Sequence, residues 1–84
     1  MTFRITFEER AINRAAGFLA DEPDGLREVL DAVDRLADDP RPPQSFAFGS
    51  PDLRRLRVRH YRVLYRIEVD AIFVGHIARG TASG

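Results

Sequence analysis

Four arginines with strand-like spacing mark where this chain could do chemistry. Arg55 and Arg57 are two residues apart, and Arg62 and Arg66 are four apart in the next segment. Side chains on a β-strand alternate between faces, so Arg55 and Arg57 project to one side of their strand and Arg62 and Arg66 to one side of theirs. If the apolar residues between them face a core, all four guanidinium groups line the opposite surface. Close like charges repel one another unless an anion neutralises them, and an RNA backbone or an acidic protein segment would do so. Arginine suits that task because its planar fork binds phosphate through two bonds and keeps its proton at any working pH. The competing reading is an ordinary solvated sheet face, with Asp52 and Glu68 available as partners.

Charge is distributed along the chain in keeping with this array. The 84 residues are formally neutral, yet residues 1–40 hold five arginines against ten acids, and residues 41–84 hold eight arginines against three. There is no lysine; a coding bias would explain that, but not the segregation of acids from arginines. There is no cysteine, which excludes disulfides, thiolate metal sites and a cysteine nucleophile. With His60 and His76 as the two histidines, neither a metal centre nor a cofactor is expected. The start of the chain lacks a basic stretch followed by an apolar run, and no run is long enough to span a bilayer, so the expected location is the cytoplasm.

The elements that must position the arginines follow from periodicity. Residues 2–7 alternate, with Phe3, Ile5 and Phe7 on one face, and predict a strand. Thr6 followed by Glu9 has the spacing of a capping box and predicts a helix start. Ala11, Ile12, Ala15 and Leu19 are its expected buried stripe, and the helix should stop before Glu22-Pro23. Asp24 is the expected cap of a second helix whose apolar face is Leu26, Val29, Leu30, Val33, Leu36 and Ala37. It should end at Asp39-Pro40, since proline disfavours helical geometry in the residue before it. Residues 40–52 hold four prolines and Gly49 and predict a loop, with room for a short extended piece at 46–48. From Leu53 the period becomes two. Leu56 and Val58 alternate with arginines, then Tyr61, Val63, Tyr65, Ile67 and Val69 alternate with Arg62, Leu64, Arg66 and Glu68. Arg59-His60 is the expected turn between them, although neither is a favoured hairpin residue. After a turn at Asp70-Ala71, residues 72–78 are apolar on both faces and predict a covered strand. The sum is one α+β domain over residues 1–84: an N-terminal strand, a helical hairpin, then an antiparallel meander of three or four strands, with the helices on one sheet face.

The run LRRLRVRHYRVLYRI (residues 53–67) resembles the signature stretch of the RelE/ParE superfamily of toxins. The run VGHIAR (residues 74–79) is similar to that family's last strand. The opening strand, the helix pair and the Asp-Pro after the second helix are compatible with it over nearly the whole chain. The resemblance implies the toxic half of a toxin–antitoxin pair, acting either as an endoribonuclease that cuts mRNA on the ribosome or, as in ParE-type members, as an inhibitor of DNA gyrase. A degenerate toxin that only binds its antitoxin is a third option. Under the nuclease reading, Arg57, Arg62 and Arg79 match the catalytic basic positions, and Arg55, Arg66 and His60 would contact RNA. The implied partner is a cognate antitoxin whose acidic segment wraps the toxin in a hetero-oligomer.

Three departures from the family pattern stand out. Gly80 occupies a position where relatives often carry a second arginine, Ser83-Gly84 stand where many carry a tyrosine, and Arg59-His60 replaces a Gly-Asp turn. His60 could serve in acid–base chemistry, its ordinary pKa being near neutrality, or be a solvated turn residue. His76 reads as a structural histidine, Tyr61 and Tyr65 as core. Phe46 and Phe48 read as packing beneath the proline-rich loop, with base stacking as the alternative.

Overall fold

A computed structural model describes residues 2–80; Met1 and residues 81–84, including Ser83 and Gly84, lie outside the described residues. Strand β1 (Arg4–Phe7) is followed by helices α1 (Glu9–Asp21) and α2 (Pro23–Arg35), and then by β2 (Ser45–Phe48), β3 (Ser50–Val58), β4 (Tyr61–Ile67) and β5 (Ala71–Arg79). The strands form one five-stranded sheet in the order β1-β5-β4-β3-β2. Strand β1 runs parallel to β5, whereas β2 to β5 form an antiparallel meander. The α+β expectation holds, with four strands after the helices.

The two helices cover one sheet face. Helix α2 buries Leu26, Val29 and Val33 and leaves Arg27, Glu28, Asp31 and Asp34 outside, as its periodicity predicts. Leu36 follows as the C-cap and is fully buried. Opposite them lie Leu56, Tyr61, Val63, Tyr65, Ile72 and Ile77, all buried. Tyr61 and Tyr65 are core residues, as expected. Each also satisfies its hydroxyl: Tyr65 donates to the Pro40 carbonyl at 2.6 Å, and Tyr61 to the Glu22 carboxylate at 2.5 Å.

Several local expectations are overturned. Thr6 does not cap α1. It stays in β1, paired with Phe73, and Glu8 takes the N-cap position without a side-chain bond. Helix α1 presents Ala11, Ala15 and Phe18 to the core, while Ile12 (53% exposed) and Leu19 (44%) turn outward. The small Ala11 lets the helix approach the sheet, and Phe18 packs edge-on against Tyr61 with ring centroids 5.4 Å apart. Asp24 is not the cap of α2. The helix starts two residues earlier than that cap implies, at Pro23, whose fixed φ and missing N–H suit the first helical position, so Glu22 alone joins the two helices. The short extended piece expected at 46–48 is β2, but the loop does not run on to residue 52, since β3 begins at Ser50. Pro51 is tolerated there because pairing is irregular between Ala47 and Phe48. Val69 does not continue β4; it is 88% exposed in a turn closed by the Glu68 N–H donating to the Ala71 carbonyl at 2.8 Å.

One irregularity decides which way the end of the sheet faces. Tyr65 pairs with Val74, but Leu64 pairs with His76, so Gly75 is an extra residue in β5. Before it, Ile72 and Val74 face the helices. After it the phase is inverted, so that Ile77 faces the helices and His76 and Ala78 do not.

Candidate nucleic-acid interface

The open sheet face is built from β3 and β4, whose unbroken alternation puts every second side chain on the uncovered side. Arg57 sits directly opposite Arg62 in the register, and Arg55 is opposite Leu64. Strand β2 adds Phe46, paired with Arg55. Together Phe46, Arg55, Arg57 and Arg62 line a cleft of about 250 Å³. All three arginines are exposed, and none has an ion pair or a side-chain hydrogen bond among the described residues.

That lack of partners distinguishes them from the other arginines of the basic half. Arg41 pairs with Asp52 at 2.5 Å, Arg59 with Glu28, Arg66 with Glu68 at 3.0 Å and Glu8 at 3.8 Å, and Arg79 with Asp21 at 2.5 Å. Arg54 faces the helix side opposite Tyr65 and bonds the Ser45 hydroxyl at 2.9 Å. Like charges directly opposite on neighbouring strands destabilise a sheet by about 0.2–1 kcal/mol. The fold therefore carries an unneutralised cationic cleft at a cost, and an anion seated there would remove it.

The six arginines and histidines singled out from the sequence do not all converge. Arg55, Arg57 and Arg62 do. Arg66 shares their face but lies at its other end, neutralised by Glu8 and Glu68 and stacked over the Phe73 ring at 4.9 Å. Arg79 is a correction. The Gly75 bulge inverts its phase, so it pairs with Tyr61 in the register, packs over Phe18 at 5.0 Å and reaches Asp21 and Glu22 on the helix side. An extra glycine within a strand pattern is the signal that could have foretold this.

His60 lies in the expected turn but is only partly solvated. Its Nε2 lies 3.2 Å from Glu22 Oε1, and its ring stacks on Tyr61 with centroids 4.8 Å apart. Arg59 before it has a φ of +54°, a left-handed conformation usually left to glycine. Glu22 is the hub of this second cluster. The Tyr61 hydroxyl holds its carboxyl below the usual range, His60 and Arg79 add to that, and burial opposes it. Burial pushes the Tyr61 hydroxyl up, and its bond to Glu22 pushes it further. These groups are satisfied by one another, and their arrangement locks the helix junction onto the end of the sheet.

Further along the open face the lining turns apolar. Phe48, Leu53, Leu64 and Phe73 surround a shallow cleft of about 260 Å³ beside His76. His76 Nδ1 is buried without a hydrogen-bond partner, so the expected satisfied structural histidine is left unsatisfied at that atom. Phe46 and Phe48 do not pack beneath the loop; they are 52% and 39% exposed on this face. Among the described residues, no group of three His, Cys, Asp or Glu could hold a metal ion, and no helix is long and apolar enough to cross a membrane.

A five-stranded sheet backed by a helical hairpin is the fold this chain shares with the RelE/ParE superfamily toxins. The family model for the ParE toxin of the type II toxin–antitoxin system parDE matches residues 9–81, and the chain belongs to that family. The fold matches a mutant of the Escherichia coli toxin RelE solved in the free state, at a TM-score of 0.80 and 21% identity over 99% of this chain and 88% of that one. It also matches a chain of the RelE–RelB complex of Pyrococcus horikoshii (TM-score 0.78, 21% identity, 98% and 99% covered). A chain of the chromosomal ParDE system of Pseudomonas aeruginosa is similar at a TM-score of 0.76 and 11% identity, with 95% and 98% covered. No curated protein matches the sequence.

Proposed function

We propose that this toxin is an endoribonuclease that takes single-stranded mRNA, presented on the ribosome, across its open sheet face. The observation that carries the reading is the convergence of Arg55, Arg57 and Arg62 on one cleft with no acidic partner among the described residues. In the reaction a ribose 2′-hydroxyl would attack the adjacent phosphorus and release the 5′-oxygen of the next nucleotide, leaving a cyclic phosphate. Negative charge builds on the non-bridging oxygens as the new bond forms. Guanidinium groups gathered around that point would stabilise it. Arg57 and Arg62, face to face, are the two assigned to the reacting phosphate. Arg55 and, further along, Arg66 would hold its neighbours. Arginine keeps its proton and is a poor general base. The cleft therefore supplies charge stabilisation, and the proton would pass to groups or water at the ribosomal site. Arg79 and His60, tied to Asp21 and Glu22, are assigned to the framework of this reading.

The partner in the resting state would be an antitoxin whose acidic segment covers the arginine face. Relatives of the same fold were solved as RelE–RelB and YoeB–YefM complexes, and the charge of the cleft suits such a segment. A second reading, inhibition of DNA gyrase, is favoured by the match to the ParE family model and by the lack of a proton acceptor among the residues lining the cleft. Primer extension on actively translated mRNA after toxin induction separates the two. Cleavage within codons, abolished by Arg57→Ala with Arg62→Ala, is the expected outcome. Intact mRNA with inhibited supercoiling would overturn the nuclease reading in favour of gyrase. Unimpaired growth on induction without antitoxin would overturn both and leave a protein that only binds its partner.

A further inference from the structure

One wall of the arginine cleft is uncharged. Phe46 stands opposite Arg55 in the β2–β3 register and borders the same space as Arg57 and Arg62, with 52% of its surface exposed. It belongs neither to the core nor to the residues packed against it, and it has no aromatic or cation–π partner among the described residues. Its backbone is held in an edge strand, so the ring is presented on a fixed element beside the guanidinium groups. An exposed aromatic ring next to cations that lack partners offers a π-face for an apolar plate and, within the same cleft, charge for the anion attached to it.

A nucleotide combines both. Its base is a flat ring with two stacking faces, and its phosphate is a few bonds away. In a duplex the faces of each base are covered by its neighbours, whereas a single strand can turn one outward. Grooves that bind single strands pair a basic track with aromatic side chains in this manner. We propose that Phe46 is a stacking platform for one nucleobase next to the phosphate held by Arg55, Arg57 and Arg62, and that this ring makes the cleft selective for single-stranded RNA. The proposal rests on the nucleic-acid reading of the cleft. The apolar floor at Leu53, Leu64 and Phe73, bordered by Arg66 and Glu8, continues the same face, so a strand leaving Phe46 in that direction meets apolar surface for its bases.

The test uses the purified full chain and three probes: a labelled single-stranded RNA decamer, the same decamer as a duplex, and a decamer with one abasic position. Binding is read by fluorescence anisotropy at several salt concentrations. Phe46→Ala should weaken binding to the intact single strand by about 5- to 150-fold, the usual worth of one stacked base. Its salt dependence should be unchanged, because no phosphate contact is lost. Phe46→Trp should bind as well as the parent, and its emission should be quenched by the single strand and not by the duplex. The abasic decamer should bind the parent and Phe46→Ala equally. The arginine variants separate this proposal from the reading beneath it. If Arg57→Ala with Arg62→Ala loses binding while Phe46→Ala binds like the parent, stacking is overturned and the arginine cleft stands. If neither change matters, both fall. Full retention by Phe46→Leu would also overturn stacking, since it would make the ring a generic apolar contact of the kind a protein partner uses.

Discussion

Replacing Arg62 by glutamine should make the free protein more stable while disabling it. Arg62 and Arg57 are directly opposite on adjacent strands, and neither has an acidic partner among the described residues. Paired backbones are about 5 Å apart, and two unit charges at that spacing in a water-like dielectric would repel by at most about 0.8 kcal/mol, before salt screening. Allowing for the freedom of two exposed side chains, about half of that should be recovered by Arg62→Gln, which keeps the aliphatic stem. In a domain of this size such a gain raises the melting temperature by about 2–4 °C. Thermal denaturation followed by circular dichroism, at low salt and at about 0.5 M, reads it; at the higher concentration the gain should nearly vanish. Arg57→Gln should give a similar gain, and the double variant should gain less than the two together, because each single change already removes their mutual repulsion. The same Arg62→Gln protein should bind single-stranded RNA more weakly, with its salt slope reduced by about 0.7 for the lost phosphate contact. A lower melting temperature at low salt, or strict additivity, would refute the premise that these guanidinium groups are held together unneutralised.

Two further expectations concern the cluster at the helix junction. The Tyr61 hydroxyl holds the Glu22 carboxyl below its ordinary 4.5, so the folded chain binds this proton more weakly than the unfolded one. The stability this contributes is present above the ordinary value and is lost as pH falls through the depressed one. Glu22→Gln should therefore melt lower than the parent at pH 7 and converge with it as pH falls through the depressed value, and a deficit independent of pH would contradict the assignment. Arg79→Ala removes the pairing with Asp21 and the packing on Phe18, and should lower the melting temperature while leaving the RNA affinity within about twofold. Lost RNA binding at full stability would instead restore Arg79 to the arginine cleft.

How legible the fold was depends on whether a segment buries one face without interruption. Strands β3 and β4 do, so the positions of Arg55, Arg57 and Arg62 follow from counting by two. Strand β5 carries the Gly75 bulge. A count by two from Phe73 puts Arg79 on the open face, and the structure puts it on the other. Helix α1 defeats the periodic reading for another reason. Its alanines and its large apolar residues lie on adjoining stripes, and which stripe packs is set by how closely the sheet lets the helix approach, not by hydrophobicity. The prolines blur where the strands begin: the extended piece expected at 46–48 is β2, but the loop expected to run to residue 52 ends at Ser50, because the irregular pairing beside Pro51 accepts a proline at the start of β3. A short piece between prolines also leaves the face of Phe46 undefined, so packing beneath the loop and base stacking both stay open from the sequence.

The segregation of charge along the chain acquires a meaning once the pairs are known. Acids from the first half reach across to the arginines at the margins of the basic half: Glu28 to Arg59, Glu8 to Arg66, and Asp21 and Glu22 to Arg79. These contacts fasten the helical layer and its connections to the sheet. None of them pairs with Arg55, Arg57 or Arg62, which project from the uncovered side at the end away from Glu8 and Arg66, where β2, β3 and β4 offer Phe46 and Leu64 and no carboxylate beside them. The sequence thus spends its acids on holding the layers together and leaves the centre of the open face unneutralised. Any polyanion that fits there is bound by groups that otherwise weaken the fold, and its binding stabilises the folded chain by mass action, about 2.7 kcal/mol at a hundred times its Kd. An acidic antitoxin segment and a nucleic-acid strand would draw on the same three charges. They are therefore expected to exclude one another by direct competition for the face, without any change of fold between the silent and the active toxin.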